Sequence, residues 1–175
     1  MTIHPSDRWS HPVISRMNGG GRRQWWGILR AIEHGELIVP DYQRARVWTP
    51  EQQAAFVGFV LSGCPVPAIW IRQVDVVDGD EAGFRDELLD GQQRLHALTE
   101  WTAGRVRAMI PWSGEIAVCD SSEALQALTR LSVPICELPP DTTRADALSI
   151  YLAINSGGTP HTDADLDRVR RMLEV

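Results

Sequence analysis

Apolar residues recur at helical spacing in six segments of the chain. The clearest segment is residues 22–33, where Trp25, Ile28, Leu29 and Ile32 share one face and predict an amphipathic helix. Further on, a Thr-Pro-Glu-Gln run opens the second helix with a capping-box pattern, which is typical of a helix start. The other helical patterns lie near residues 95–102, 123–131, 143–154 and 162–173.

Runs rich in β-branched residues predict six short strands. They cover residues 37–39, 68–77, 85–89, 106–110, 115–118 and 133–138. An Asp- and Gly-rich turn separates the second strand from the third, so we expect these two strands to form an antiparallel hairpin. Strands interspersed with helices in this way indicate a mixed α/β (α+β) fold, in which helices flank a small mixed sheet.

The chain length of 175 residues favours a single domain. Residues 1–21 are polar and end in three glycines, and we expect them to form a flexible arm ahead of one domain at residues 22–175. No apolar run approaches the ~20 residues that a membrane span requires. The first residues contain no apolar signal-peptide core either. We therefore expect a cytoplasmic protein without a membrane partner.

All 17 basic residues are arginine, and the formal net charge is −6. Any anion site must therefore use guanidinium groups, which bind phosphate through paired N–H donors. The acidic balance argues against a uniformly basic surface that coats nucleic acid, but it allows a local basic patch. The candidates for a DNA-contacting patch are Arg22, Arg23, Arg30, Arg46, Arg168, Arg170 and Arg171.

The cysteines and histidines do not form a metal-binding pattern. Cys64, Cys119 and Cys136 lack the paired spacing of a zinc or redox motif, and they predict reduced thiols in a reducing compartment. The five histidines are scattered along the chain. Because no Cys/His cluster has zinc spacing, we expect no zinc site.

The segment Asp90-Gly91-Gln92-Gln93-Arg94 joins a predicted strand to a predicted helix. Backbone N–H groups at a helix start, together with the helix dipole, attract anions. Arg94 adds a guanidinium fork, and the two glutamines add amide donors and acceptors. The alternative interpretation is a tight turn whose polar side chains face solvent.

A second glycine-containing segment follows the helix predicted near residues 143–154. Asn155, Gly157, Gly158 and Thr159 belong to it, and paired glycines allow backbone amides to approach a ligand closely. The alternative interpretation is a glycine helix cap followed by a linker. The sequence alone leaves both interpretations open.

Three segments, taken in order along the chain, resemble one family. They are Val39-Pro40-Asp41-Tyr42-Gln43-Arg44 followed by Val47-Trp48, then Asp90-Gly91-Gln92-Gln93-Arg94-Leu95, and finally Ile154-Asn155-Ser156-Gly157-Gly158-Thr159-Pro160. Together they resemble the N-terminal domain of the GmrSD-like type IV restriction enzymes, within the ParB/sulfiredoxin superfamily. The resemblance covers residues 22–175.

The resemblance implies a ParB/sulfiredoxin-like fold with a nucleotide pocket. It implies that the chain binds an NTP with Mg²⁺ and hydrolyses it, in a process coupled to DNA cleavage or to the sensing of modified DNA. The expected setting is DNA restriction, phage defence or phage DNA metabolism. The residues expected to contact nucleotide or phosphate are Tyr42, Gln43, Arg44, Gly91, Gln92, Asn155, Gly157, Gly158 and Thr159.

The expected catalytic residues are Asp90, Gln93 and Arg94. Asp90 is expected to bind Mg²⁺ or to orient a water molecule, and Gln93 is expected to position that water. Arg44 and Arg94 are expected to supply positive charge to the phosphates, because phosphoryl transfer depends on charge neutralisation and positioning.

Two other functions remain open at this point. One is a DNA-binding or modified-DNA-sensing module without catalysis, which the arginine candidates favour and the net charge opposes. The other is an interaction subunit that keeps the fold without the chemistry. The sequence shows neither a P-loop nor a His-Asn-His nuclease signature. We therefore expect no Walker-type mechanism, and we expect DNA cleavage from a separate nuclease subunit.

Overall fold

The computed structural model describes residues 13, 16–17, 20–78, 81–119, 122–156 and 163–173. The strands in this part of the chain are β1 (Gly21–Gln24), β2 (Leu37–Ile38), β3 (Ile69–Asp78), β4 (Glu81–Asp90), β5 (Ala108–Met109), β6 (Ile116–Ala117) and β7 (Ser132–Glu137). Five of them form a mixed sheet in the order β1-β7-β3-β4-β2, and β5 pairs with β6.

The helices in the described part of the chain are α1 (Trp25–Glu33), α2 (Pro50–Leu61), α3 (Gln92–Thr102), α4 (Ser122–Arg130), α5 (Arg144–Ser156) and α6 (Asp163–Leu173). The predicted capping box of α2 is present, because Thr49 and Gln52 each bond the other's backbone N–H. Thr143 and Asp146 form the same reciprocal pair ahead of α5. None of these helices is long and apolar enough to span a membrane.

The β3–β4 hairpin lies at the centre of the sheet. Its strands are antiparallel, while β7 pairs with β3 in parallel and β2 pairs with β4 in parallel. The predicted hairpin and the predicted mixed α/β fold class are both confirmed. The narrower assignment to the ParB/sulfiredoxin superfamily stays a prediction.

The start of the domain differs from the expected helix at residues 22–33. Residues 21–24 form the edge strand β1, which pairs antiparallel with β7, and the helix begins only at Trp25. Pairing with β7 gives these residues backbone partners, and the Arg22 guanidinium donates to Ser132 on that strand. A tertiary contact 110 residues away along the chain therefore overrides the local helical pattern.

Most of residues 1–21 lie outside the described part of the chain. Among those described, Val13 is buried against Leu89, Leu138 and residues of α5. Arg16 donates to the Asp141 carboxylate at 2.7 Å. The expected boundary between an arm and the domain at residues 21 and 22 stays a prediction.

Helices pack against both faces of the sheet. Leu88 and Leu89 are neighbours on β4 whose side chains enter different apolar clusters, because successive side chains of a strand face opposite sides. Leu88 packs in a cluster with Trp25 of α1 and Trp101 of α3, whereas Leu89 packs with Ile150 of α5. Full burial of each such side chain contributes about 1.5–3 kcal/mol to stability.

A third, smaller apolar cluster joins the loop after β2 to the last two helices. It contains Tyr42 from the loop, Leu148 and Tyr151 from α5, and Val169 from α6. The Tyr42 and Tyr151 rings meet edge to face with centroids 5.3 Å apart, which is a favourable aromatic geometry. This cluster packs α6 against the loop after β2.

A buried ion pair crosses the centre of the β3–β4 hairpin. Arg72 donates to both carboxylate oxygens of Glu87, at 3.0 and 3.1 Å, and also to the Thr142 carbonyl. The Tyr42 hydroxyl donates to the same carboxylate at 2.6 Å. Because both charges are almost fully buried, each depends on the other for neutralisation.

We expect Arg72→Met to lower the free energy of unfolding by about 3–5 kcal/mol, because it leaves the Glu87 carboxylate buried without its counter-charge. The double variant Arg72→Met/Glu87→Gln should lose less than the sum of the two single variants. Urea unfolding measures both effects. Asp167→Asn, which breaks an exposed pair with Arg170, is the control and should change stability little. Strictly additive losses would contradict this account.

Candidate functional site

Residues from all three sequence motifs line one cleft of about 390 Å³, a volume within the usual range for small-molecule sites. The first motif lies on the loop after β2, residues 40–48, which we call the cleft loop. The second motif opens α3, and the third ends α5. The predicted site residues that line the cleft are Gln43, Arg44, Asp90, Gly91, Gln92, Gln93, Arg94 and Asn155.

The N-terminus of α3 forms the floor of the cleft. Gly91 is its N-cap with φ 116°, and no described side chain caps this helix end. The first intrahelical bond is donated by the Leu95 N–H to the Gly91 carbonyl, so the N–H groups of the preceding turn have no intrahelical acceptor. These N–H groups and the helix dipole together favour an anion at this end of the cleft.

Arg94 is buried, and its guanidinium bonds to other parts of the protein. Nη1 donates to the Pro67 carbonyl, and Nη2 donates to the Ala68 carbonyl at 3.1 Å and to Asp90 Oδ2 at 2.6 Å. Burial lowers the pKa of Arg94, and the Asp90 carboxylate opposes that effect. The side chain therefore ties the start of α3 to the segment that leads into β3.

Gln93 is buried as well, and its amide holds the cleft loop. Its Oε1 accepts from the Val47 N–H at 3.0 Å and the Trp48 N–H at 3.3 Å. Its Nε2 donates to the Ala45 carbonyl at 3.1 Å. Both lone-pair directions of the oxygen are thus occupied by backbone donors. The expectation that Gln93 positions a water stays a prediction, and the observed bonds give this side chain a structural task.

Gln92 differs from Gln93 and Arg94, whose polar side-chain groups bond to other parts of the protein. Its Oε1 is buried and has no hydrogen-bond partner among the described residues. A buried acceptor without a donor costs about 1–3 kcal/mol, so such atoms in native proteins call for an explanation. Gln92 lines the cleft, and a hydrogen-bond donor on a bound ligand would satisfy this oxygen.

Arg44 lies on the cleft loop between two anchored residues. On one side, the Gln43 Nε2 donates to the carbonyls of Leu88 and Leu89 at 3.0 and 2.8 Å. On the other side, the Ala45 carbonyl accepts from Gln93. The loop therefore presents Arg44 to the cleft from a fixed stretch of backbone.

Residues of α5 form another part of the cleft wall. Asn155 lines the cleft, and its Nδ2 donates to the Tyr151 carbonyl one turn earlier at 2.8 Å. Burial raises the pKa of Tyr151, while the backbone N–H and the charge of Arg44 oppose that shift. The other predicted contacts of this motif, Gly157, Gly158 and Thr159, lie outside the described residues.

Tyr42 differs from the expectation that it contacts phosphate. Its side chain is completely buried, its hydroxyl donates to Glu87, and it does not line the cleft. Burial is the main cause that raises the pKa of this phenol, and the neighbouring carboxylate adds to it. Tyr42 fixes the base of the cleft loop instead.

Several apolar residues of the cleft were not predicted as site residues. They are Trp48, Phe56, Pro67 and Ile154, which line the cleft together with the polar residues. The Trp48 and Phe56 rings are 5.4 Å apart at a tilt of 59°. Trp48 follows the Tyr-Gln-Arg segment by only a few residues, and that position was the one signal in the sequence that pointed to it.

Most of the arginines proposed to contact DNA bond to the protein itself. Arg23 pairs with Asp86 and Glu137, Arg30 with Glu33, and Arg170 with Asp167. Arg22 donates to Ser132, and Arg168 donates to backbone carbonyls of the cleft loop. Arg46 and Arg171 are exposed. DNA contact by these side chains stays a prediction.

No cluster of three or more His, Cys, Asp or Glu side chains that would hold a metal ion occurs among the described residues. Asp90 is the carboxylate that lines the cleft, and its Oδ2 accepts from Arg94. Its side chain is about one-third exposed. A Mg²⁺ ion that arrives with nucleotide phosphates requires only one or two protein carboxylates, so this residue fits that role.

We expect Gly91→Ala to lower the free energy of unfolding by about 2–4 kcal/mol, since a Cβ would lie 2.3 Å from the Ile69 Cδ1 and would strain a left-handed backbone. Gly104→Ala is the matched control, because Gly104 has φ 72° but open space around it. It should cost only the backbone term of about 1–2 kcal/mol. Equal losses in the two variants, measured by urea unfolding, would show that the close approach to Ile69 is unimportant.

Comparison with known proteins agrees with the sequence motifs. A family model described as the N-terminal domain of GmrSD restriction endonuclease matches residues 26–128, which is more than half of the chain. The matched region contains the cleft loop and the start of α3. No curated protein matches the chain. On this evidence the chain belongs to the family of GmrSD restriction endonuclease N-terminal domains.

Proposed function

We propose that the cleft binds a nucleoside triphosphate with Mg²⁺ and that the domain hydrolyses it during DNA restriction. The observation that carries this proposal is the meeting of three separated polar segments in one cleft at the N-terminus of α3, which no described side chain caps. Family membership gives the setting, which is restriction or DNA defence. In this proposal DNA is cut by a separate nuclease subunit.

The start of α3 is the phosphate end of the proposed site. Its N–H groups, which have no intrahelical acceptor, and its dipole favour negative charge, and Arg44 lines the same cleft from the cleft loop. Each charge-assisted bond from such donors contributes about 1.5–3 kcal/mol. Gln92 and Asn155 add amide groups that hydrogen-bond to phosphate or ribose.

The apolar side chains that line the cleft suit the base and sugar of the ligand. Trp48 and Phe56 offer ring faces and edges, and Ile154 and Pro67 add aliphatic surface. Aromatic side chains bind flat ring systems through stacked or edge-to-face contacts. A ligand that carries both phosphates and an aromatic base matches this set of side chains.

For the hydrolysis step we assign Asp90 to Mg²⁺ or to the attacking water, and Arg44 to the charge on the phosphates. Gln93 and Arg94 act differently in this proposal from the expectation based on the sequence. Their polar groups already bond to Val47, Trp48, Pro67 and other backbone groups, so they hold the walls in place. Preorganised walls reduce the cost of ordering the site when the ligand arrives.

Calorimetric titration of the folded protein with ATP, CTP, GTP and UTP in the presence of Mg²⁺ tests the proposal. We expect at least one of the four to bind and Arg44→Gln to weaken that binding about 10- to 100-fold, because one charged donor is lost. Arg46→Gln is the matched control. Arg46 lies two residues away on the same loop, is exposed and does not line the cleft. The nucleotide affinity of the Arg46→Gln variant should therefore match that of the unmodified protein.

Two outcomes would contradict the proposal. The first is the absence of measurable heat for all four nucleotides with a protein whose unfolding transition is normal. The second is an equal loss of affinity in Arg44→Gln and Arg46→Gln, since that would indicate general attraction of anions to the protein. Release of inorganic phosphate, followed with the nucleotide that binds, separates hydrolysis from binding alone.

A further inference from the structure

We propose that Arg168 of α6 is a positioning residue for the cleft, and that nucleotide occupancy and the docking of α6 are therefore coupled. This inference rests on the proposed function of the cleft, and it extends that function to a helix that does not line it. The observation behind it is a set of backbone contacts from α6 to the residues next to Arg44.

Arg168 donates to three successive carbonyls of the cleft loop. Nη1 bonds to the Asp41 carbonyl at 2.8 Å, and Nη2 bonds to the carbonyls of Tyr42 and Gln43 at 2.9 and 3.0 Å. The Gln43 carbonyl belongs to the peptide group that leads directly into Arg44. Movement of Arg168 therefore changes the backbone that carries the proposed phosphate-binding side chain.

Further contacts hold α6 against the cleft loop and α5. Val169, the next residue along α6, is buried in the same cluster as Tyr42 and Tyr151. Asp41, at the start of the contacted stretch, pairs with Arg144 of α5 at 2.7 Å. Polar bonds and one small apolar cluster thus hold α6, which makes its docking sensitive to the arrangement of the loop.

The other attachments of the loop explain why α6 acts on Arg44. Gln43 is bonded to β4 and Ala45 to Gln93 of α3, so two sides of the loop are tied to the sheet and to the cleft floor. Arg168 supplies a further attachment, from α6. With these attachments in place, Arg44 extends from a backbone with little freedom, and a ligand binds without having to order it.

Coupling of this kind is reciprocal. If docked α6 favours the arrangement of Arg44 that binds phosphate, then bound nucleotide must favour docked α6 by the same factor. The cleft then reports its occupancy at the surface through α6. Nucleotide binding in this way changes the docking of α6, and therefore the surface that a restriction partner contacts.

Hydrogen exchange of the ligand-free protein tests the positioning role first. We expect Arg168→Gln to speed amide exchange in residues 41–46 at least about fivefold, because the loop loses its bonds to Arg168 of α6. Arg170→Gln is the matched control, since Arg170 lies on the same helix and pairs only with Asp167 among the contacts that the structure gives it. Unchanged exchange in Arg168→Gln would overturn the inference, and this result does not depend on any nucleotide.

A double-mutant cycle with the nucleotide found by calorimetry tests whether Arg168 acts through Arg44. Arg168→Gln alone should weaken affinity about 5- to 20-fold, Arg168→Lys less, and Arg170→Gln not at all. In the Arg44→Gln background, the further loss from Arg168→Gln should fall below about twofold. Independent, multiplicative losses would overturn the inference while leaving nucleotide binding intact. If no nucleotide binds, the proposed function fails and the exchange experiment alone decides the role of Arg168.

Discussion

The first turn of α3 is the constraint on which the rest of the site depends. Two consecutive side chains there reach in different directions, with Gln93 bonded to the cleft loop and Arg94 bonded to the segment before β3. Gly91 allows the chain to turn into that helix at a place where a Cβ would collide with Ile69. These contacts bring together loops that lie far apart in the sequence. They also leave the end of the helix open to the cleft.

This arrangement separates the residues that build the cleft from those that face a ligand. Buried polar side chains need partners, and Gln93, Arg94 and Tyr42 find them in the backbone or in Glu87. Arg44 and Gln92 line the cleft, on the backbone that those buried contacts hold in place. The Gln92 Oε1, which has no hydrogen-bond partner among the described residues, is the observation that most favours a ligand with a hydrogen-bond donor. The cleft therefore has the features of a binding site more clearly than those of a catalytic one.

The sequence predicts those parts of the fold that local chemistry determines. The capping box at Thr49, the β3–β4 hairpin and a strand at residues 85–89 follow from short patterns, and the structure contains all of them, with the last strand extended to Glu81–Asp90. The edge strand β1 was missed, because its conformation depends on pairing with β7 far along the chain. The family assignment was predicted from three motifs and is confirmed by a match over residues 26–128.

Side-chain roles within the motifs were harder to predict than the motifs themselves. Arg94 looks like a phosphate ligand in sequence, but its partners are the Asp90 carboxylate and two carbonyls 26 and 27 residues earlier in the chain. Arg168 looks like a surface arginine, but it bonds to a loop more than 120 residues away. Such contacts between a side chain and a distant backbone leave no periodic signal. These contacts decide whether a polar side chain of a motif faces a ligand or supports the fold.

The central claim is that three separated segments form one nucleotide site. The most direct measurement is a ¹H–¹⁵N NMR titration of the protein with a non-hydrolysable nucleoside triphosphate analogue and Mg²⁺. The account predicts that the largest amide shifts occur at Gln43, Arg44, residues 91–94 and Asn155, with smaller shifts at Arg168 and its neighbours in α6. Shifts that cluster on another surface, with those residues unchanged at saturation, would contradict it.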